Sequence, residues 1–182
     1  MYQLIVFGPP GVGKGTQAEL IAKKLGLSHI STGEILRKAV SEGTELGMKA
    51  KAIMDIGNLV PDDIMNGIVK EALAGSSANG FILDGYPRTV EQARALAITF
   101  RELNMGEVTV INLIADDEEI TQRLLKRGRT DDTKETIANR LKVYYKSTEP
   151  VKNFYTELGI VKDIYGVGDV DEISKLLLEE LD

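Results

Sequence analysis

Gly8-Pro9-Pro10-Gly11-Val12-Gly13-Lys14-Gly15-Thr16 has the residue types and spacing of a loop that wraps a phosphate group. Glycine lets the main chain approach an anion closely and take positive φ angles, because no Cβ stands in the way. If a helix opens at the end of the run, its first N–H groups lack partners within the helix and point at the anion. Lys14 adds a full positive charge near the terminal phosphates. The alternative, a tight strand-to-helix turn with a surface lysine, accounts for less of the pattern. Gly15 stands where such loops usually carry a magnesium-binding Ser or Thr, and the hydroxyl of Thr16 comes one place later. A magnesium ion here is expected to be held mostly by phosphate oxygens and water, which suits its reluctance to dehydrate.

Three further segments carry cations beside small polar groups. In Ser31-Thr32-Gly33-Glu34-Ile35-Leu36-Arg37, a helix starting at Gly33 puts Arg37 about one turn in, near Thr32 and Gly33. This is either a second anion site or a capped helix with a solvated arginine, and taken alone the second is the simpler reading. The segment 80–89 ends an apolar run on Asp84, a position suited to a magnesium carboxylate beside a phosphate loop or, failing that, to a helix-loop cap. Gly85 allows a close turn, Pro87 stiffens it, and Arg88 can fork onto a phosphate with two hydrogen bonds. Gln92 offers a donor and an acceptor to a nucleobase edge, or serves only as the capping glutamine for Thr89. The densest basic stretch runs from Arg123 through Lys126, Arg127 and Arg129, followed by Asp131, Asp132 and Arg140. In isolation it complements a helix dipole; with the break at Gly128 it reads as a cationic flap able to close over phosphates. His29 is read as structural, and Met48 and Met54 as packing or pocket wall.

These residues need a frame. Short Val-, Ile- and Leu-rich runs predict strands at 3–7, 27–30, 81–84, 108–114 and 160–163. Helical patterns predict helices at 15–25, 33–42, 47–54, 61–74, 90–103, 117–126, 133–158 and 169–181. Capping-box spacing marks Ser31 with Glu34, Thr89 with Gln92, Asp116 with Glu119 and Asp132 with Glu135. Strands each followed by helix imply an α/β fold, a parallel sheet with helices on both faces. The site is then expected at the carboxyl ends of the strands. The 182 residues suit one domain. No stretch nears the roughly 18 apolar residues of a membrane span, and no leader pattern is visible. With no cysteine, a disulfide or thiolate metal site is excluded. The net charge of −6 argues against a general nucleic-acid binder. A soluble cytoplasmic enzyme is the simplest expectation.

Taken in order, the segments at 8–17, 31–37, 57–60, 80–89 with Gln92, and 129–132 with Arg140 resemble those of the adenylate kinase family, over essentially the whole chain. The resemblance implies a P-loop three-layer α/β/α sandwich on a five-stranded parallel sheet. It implies a core of 1–30, 61–125 and 133–182, a helical AMP-binding insert at 31–60 and a short lid at 126–132. The implied reaction is reversible, magnesium-dependent transfer of the terminal phosphoryl group of ATP to AMP, giving two ADP. On that resemblance Gly11, Val12, Gly13, Lys14, Gly15 and Thr16 hold the ATP phosphates. Arg123 stacks on the ATP adenine, Arg127 lies beside it, and Gly168 makes a backbone contact. Thr32, Arg37, Asn58, Leu59, Val60, Gly85, Tyr86, Pro87, Arg88 and Gln92 match the AMP pocket. Arg129 and Arg140 match the pair that clamps the transferring phosphates, with Lys14, Arg88 and Arg123 also catalytic. Asp84 matches a water-mediated magnesium contact. A monomer is implied.

The lid is much shorter than in the long bacterial form and carries no zinc site, and Tyr86 replaces a common Phe. The UMP/CMP kinases share the fold and most arginines but commonly carry Ala and Asn where this chain has Thr32 and Gln92; both positions favour AMP. A GTPase switch is disfavoured because no Asn-Lys-x-Asp segment occurs. A small-metabolite kinase is disfavoured by Gln92 and by an insert sized for a whole nucleotide.

Overall fold

The computed structural model describes residues 1–129 and 132–181. Thr130 and Asp131, within the expected lid at 126–132, lie outside the described residues, as does Asp182.

Five strands, β1 (Tyr2–Phe7), β2 (Ser28–Ser31), β3 (Gly80–Asp84), β4 (Thr109–Ile114) and β5 (Val161–Tyr165), form one sheet in the order β2-β3-β1-β4-β5. Every pairing is parallel. The period-two alternation of β1 explains the layers. Ile5 and Phe7 face one apolar cluster with Leu36, Val69, Leu96 and Val151, while Leu4 and Val6 face another with Ala18, Ile21, Ile173 and Leu177. The fold is therefore three-layered α/β, with helices covering both faces of a buried sheet.

The helices are α1 (Lys14–Leu25), α2 (Thr32–Ser41), α3 (Glu45–Asp55), α4 (Asp62–Ala74), α5 (Val90–Glu102), α6 (Asp117–Arg127), α7 (Lys134–Val143), α8 (Glu149–Glu157) and α9 (Val170–Glu179). Residues 31–60 carry α2 and α3 between β2 and α4. The expected single helix at 133–158 is instead α7 and α8 joined by a π turn, Tyr144–Thr148. Pro150 sits in the first turn of α8 and offers no N–H to the preceding turn, so the regular ladder is interrupted there. The second strand starts one residue later than expected. Leu27 N–H bonds back to the Ala22 carbonyl at 2.9 Å, so Leu27 belongs to the cap of α1.

Tertiary partners also override three of the expected caps. Ser31 donates its hydroxyl to Asp84 Oδ2 at 3.3 Å rather than capping α2. The Asp116 carboxylate makes no cap bond; Tyr165 O–H approaches it at 3.5 Å. Helix α7 is capped by Thr133, whose Oγ1 accepts from Thr136 N–H at 3.1 Å, and Asp132 is released for another task.

Candidate active site

The cleft forms where strand order reverses, at the carboxyl ends of β1 and β3. Its volume is about 620 Å³. One wall is the turn from β1 into α1. Gly8, Gly11 and Gly13 take φ of +131°, +85° and +105°, which winds the chain so that the N-terminus of α1 faces the cleft. Lys14 Nζ donates to the Gly8 and Pro9 carbonyls at 2.9 and 2.7 Å. Burial lowers the Lys14 ammonium to about 8; Asp84 opposes this shift, and Arg88 and Arg127 reinforce it.

The opposite wall comes from α2, the end of α3, and the turn after β3. The Arg37 guanidinium folds back over Gly33, 3.0 Å from where a Cβ would stand, as the helical spacing predicts. Thr32 is buried and donates to the carbonyls of Gly85 at 2.9 Å and Asp84 at 3.3 Å. Arg88 Nε donates to the Gly85 carbonyl at 2.7 Å. Gln92 is 2% exposed and fully oriented: Oε1 accepts from Arg88 N–H at 2.7 Å, Nε2 donates to Asp62 Oδ1 at 2.7 Å, and its own N–H donates to the Thr89 cap at 3.1 Å. Only the Thr89 half of the expected capping box forms, because the Gln92 side chain bonds Arg88 N–H and Asp62 instead of Thr89 N–H, and the same residue lines the cleft. Asn58, Leu59 and Val60 continue this wall.

Between the walls lie the cations of α6 and α7. Arg123 donates to Glu119 at 2.6 Å and to the Gly166 carbonyl at 2.9 Å. Arg127 makes a two-pronged pair with Asp132 at 2.9 and 2.8 Å, and Arg140 donates to the same carboxylate at 2.8 Å. The Asp132 side chain is 0% exposed. Burial alone would raise its carboxyl, but the bond and charge of Arg127, the charge of Arg140 and the Arg129 N–H together hold it below its ordinary value. Sequence reasoning treated Asp132 as a helix cap and missed this role. The available signal was an acid placed between Arg127, Arg129 and Arg140, where a lone carboxylate can pair several guanidiniums.

Among the binding and catalytic residues nominated from the sequence, only Tyr86 and Pro87 do not line the main cleft. They border an adjoining cavity of about 90 Å³ that also touches Lys14, Arg88 and Arg140. Met54 lines the main cleft, whereas Met48, read as packing or pocket wall, is exposed. Tyr86 is buried and bonds Asn66 Oδ1 at 2.6 Å, so it props the turn from behind; its peptide bond to Pro87 is cis. His29 Nε2 lies 4.0 Å from Asp84 Oδ2. Asp84 stands beside Gly15, 3.4 Å from the position a Cβ would occupy there. No cluster of three or more acidic or His side chains able to hold a metal occurs among the described residues. No described helix is long and apolar enough to cross a membrane.

The sequence model of the adenylate kinase family matches residues 6–160. The chain is 50% identical to the adenylate kinase of Leptospira biflexa serovar Patoc over 186 aligned residues, covering all of both proteins. It is 44% identical to that of Nocardia farcinica, over 98% of each chain. It is 43% identical to that of Methanothrix thermoacetophila, over 96% of this chain and 97% of the relative. A glycine loop and a second cation-lined wall facing each other across one cleft thus coincide with similarity along the whole chain, and the chain belongs to the adenylate kinase family.

Proposed function

We propose that this enzyme moves the terminal phosphoryl group of ATP directly onto the phosphate of AMP, reversibly, giving two ADP, and so balances the adenine nucleotide pool. The carrying observation is the pair of facing walls, with Lys14 on one, Arg37 and Arg88 on the other, and Arg123, Arg127, Arg129 and Arg140 between. ATP is assigned to Gly11–Thr16, Arg123, Arg127 and Gly168. AMP is assigned to Thr32, Arg37, 58–60, Gly85, Arg88 and Gln92, with Tyr86 and Pro87 backing that wall. Arg129 and Arg140 belong to the transferring group. Residues 31–60 act as the AMP-binding insert and 126–132 as the lid of a single domain. The acceptor is an AMP phosphate oxygen, already anionic near neutral pH, so no general base is required; positioning and charge stabilisation carry the chemistry.

The donor set fits magnesium held mainly by nucleotide and water, with Asp84 as the protein carboxylate reaching it through water. When bound, magnesium neutralises charge developing on the phosphate oxygens. The family resemblance supports a cytoplasmic monomer. The test is ADP formation from ATP with AMP, CMP and UMP as acceptors. AMP is expected to give the highest kcat/KM, and a higher value for CMP or UMP overturns the assignment.

Lys14 adds a pH signature. In the free enzyme it loses its proton around pH 8. A triphosphate seated on the loop favours the charged form and raises the value again. Between pH 8 and the ordinary lysine value of about 10.4, nucleotide binding therefore takes up a proton, and affinity falls as pH rises. Calorimetry at pH 8.5 in two buffers of different ionisation enthalpy should show uptake of about half a proton or more. Proton release contradicts the assignment of Lys14 to the phosphates, and zero uptake shows instead that its ammonium is already fully charged in the free enzyme at that pH.

A further inference from the structure

Helix α7 does more than carry Arg140. Its first two turns lie against the end of α3, where the last carbonyls of a helix have no partner further along it. Side chains of α7 supply those partners. Asn139 Nδ2 donates to the Ile56 carbonyl at 2.6 Å and to Asn58 Oδ1 at 2.9 Å. Thr136 Oγ1 donates to the Asp55 carbonyl at 3.3 Å. Gly57, at φ +78°, permits the close approach: a Cβ there would lie 3.0 Å from Arg140 Cγ and 3.1 Å from the Thr136 carbonyl.

We propose that Asn139 is a positioning residue for the acceptor nucleotide, tying the wall formed by 56–60 to the same rigid helix that carries Arg140. This rests on the placement of AMP against 58–60 given above. One helix then sets the distance between the face that grips the acceptor's base and the cation that meets its phosphate. Without the tie, the 56–60 segment loses two hydrogen bonds from α7 and takes up a wider range of positions, and acceptor binding must restore one of them. Donor binding, which uses the loop after β1, does not depend on that tie.

The test compares Asn139→Ala and Asn139→Asp with wild type, measuring KM for AMP and for ATP, kcat, and amide exchange at 56–60. Two hydrogen bonds of ordinary net strength correspond to a roughly 30-fold rise in the KM for AMP in Asn139→Ala, within a range of about 5- to 150-fold. The KM for ATP and kcat are expected to stay within about twofold. Asn139→Asp should be worse than Asn139→Ala for AMP, because its carboxylate faces two acceptor oxygens and has no proton to give. Faster exchange at 56–60 should accompany both. An unchanged KM for AMP in both variants, or equal rises for AMP and ATP, overturns the proposal. If wild type forms no ADP from ATP and AMP, it is the functional reading that fails. The exchange measurement then tests the anchoring alone, and unchanged exchange at 56–60 overturns it.

Discussion

Arg88→Met is expected to lower kcat for ADP formation by about 10³-fold or more and to leave the melting temperature within about 4 °C of wild type. The two halves have separate causes. Arg88 is exposed and borders the adjoining cavity, and its side chain donates a hydrogen bond to the Gly85 carbonyl. The bonds that hold the turn use its backbone: its N–H donates to Gln92, and its carbonyl accepts from Thr148 at 3.0 Å. Those survive any side-chain change. An exposed cation contributes about 0–1 kcal/mol to stability, and 1 kcal/mol moves the midpoint of a domain this size by about 2–4 °C. A guanidinium on a transferring phosphoryl group, in contrast, is worth about 10³–10⁵ in rate. Arg88→Lys should fall between, because an ammonium keeps the charge but not the planar fork. Arg140 is a less clean choice, since its loss also strips a partner from the buried Asp132 carboxylate. A loss under about tenfold in Arg88→Met, by steady-state and single-turnover rates alike, removes Arg88 from the transfer centre.

Gly8→Ala is expected to cost about 3 kcal/mol of stability, seen as a fall of about 6–12 °C in the melting midpoint. Gly8 sits at φ +131°, where a side chain is strained, and its Cβ would lie 2.4 Å from the Leu113 carbonyl oxygen. That oxygen belongs to β4, registered on one side with β1 and on the other with β5. The overlap is thus with sheet backbone, which cannot swing aside as a flexible side chain would. ATP affinity should fall as well, because relief of the clash moves the turn to which the ATP phosphates are assigned above. Gly67→Ala is the control: it lies inside α4 with open space around it, and should be neutral or slightly stabilising. Equal effects from the two substitutions would show that general glycine replacement, not the clash, sets the cost.

What the sequence disclosed, and what it hid, follow the range of the interactions. The turn from β1 to α1 is legible because close approach to an anion demands specific residues at fixed local spacing, and Arg37 over Gly33 follows from helical periodicity alone. The central strands β1, β3 and β4 are legible because a sheet buried on both faces needs long apolar runs, whereas the edge strands β2 (Ser28-His29-Ile30-Ser31) and β5 (Val161-Lys162-Asp163-Ile164-Tyr165) carry polar residues. The errors come where a polar side chain has a distant competitor. Ser31 and Asp132 each have the spacing of a cap, yet one bonds Asp84 and the other gathers Arg127 and Arg140. Neither choice is written locally, because the partners lie on other elements. Tyr86, read as a pocket wall, borders the adjoining cavity instead of the main cleft, with its hydroxyl on the distant Asn66. The π turn ahead of Pro150 escaped because the apolar spacing on either side continues as one helix.

The Lys14 ammonium resting on the Gly8 and Pro9 carbonyls has a consequence for how tightly a nucleotide is held. On the proposed assignment of ATP to this loop, the receptor is built before its guest arrives: the ammonium trades carbonyl acceptors for phosphate ones, and the turn does not have to be wound from a disordered state. Intrinsic affinity is then not diminished by an ordering penalty, and encounter with this wall can proceed without a preceding slow rearrangement.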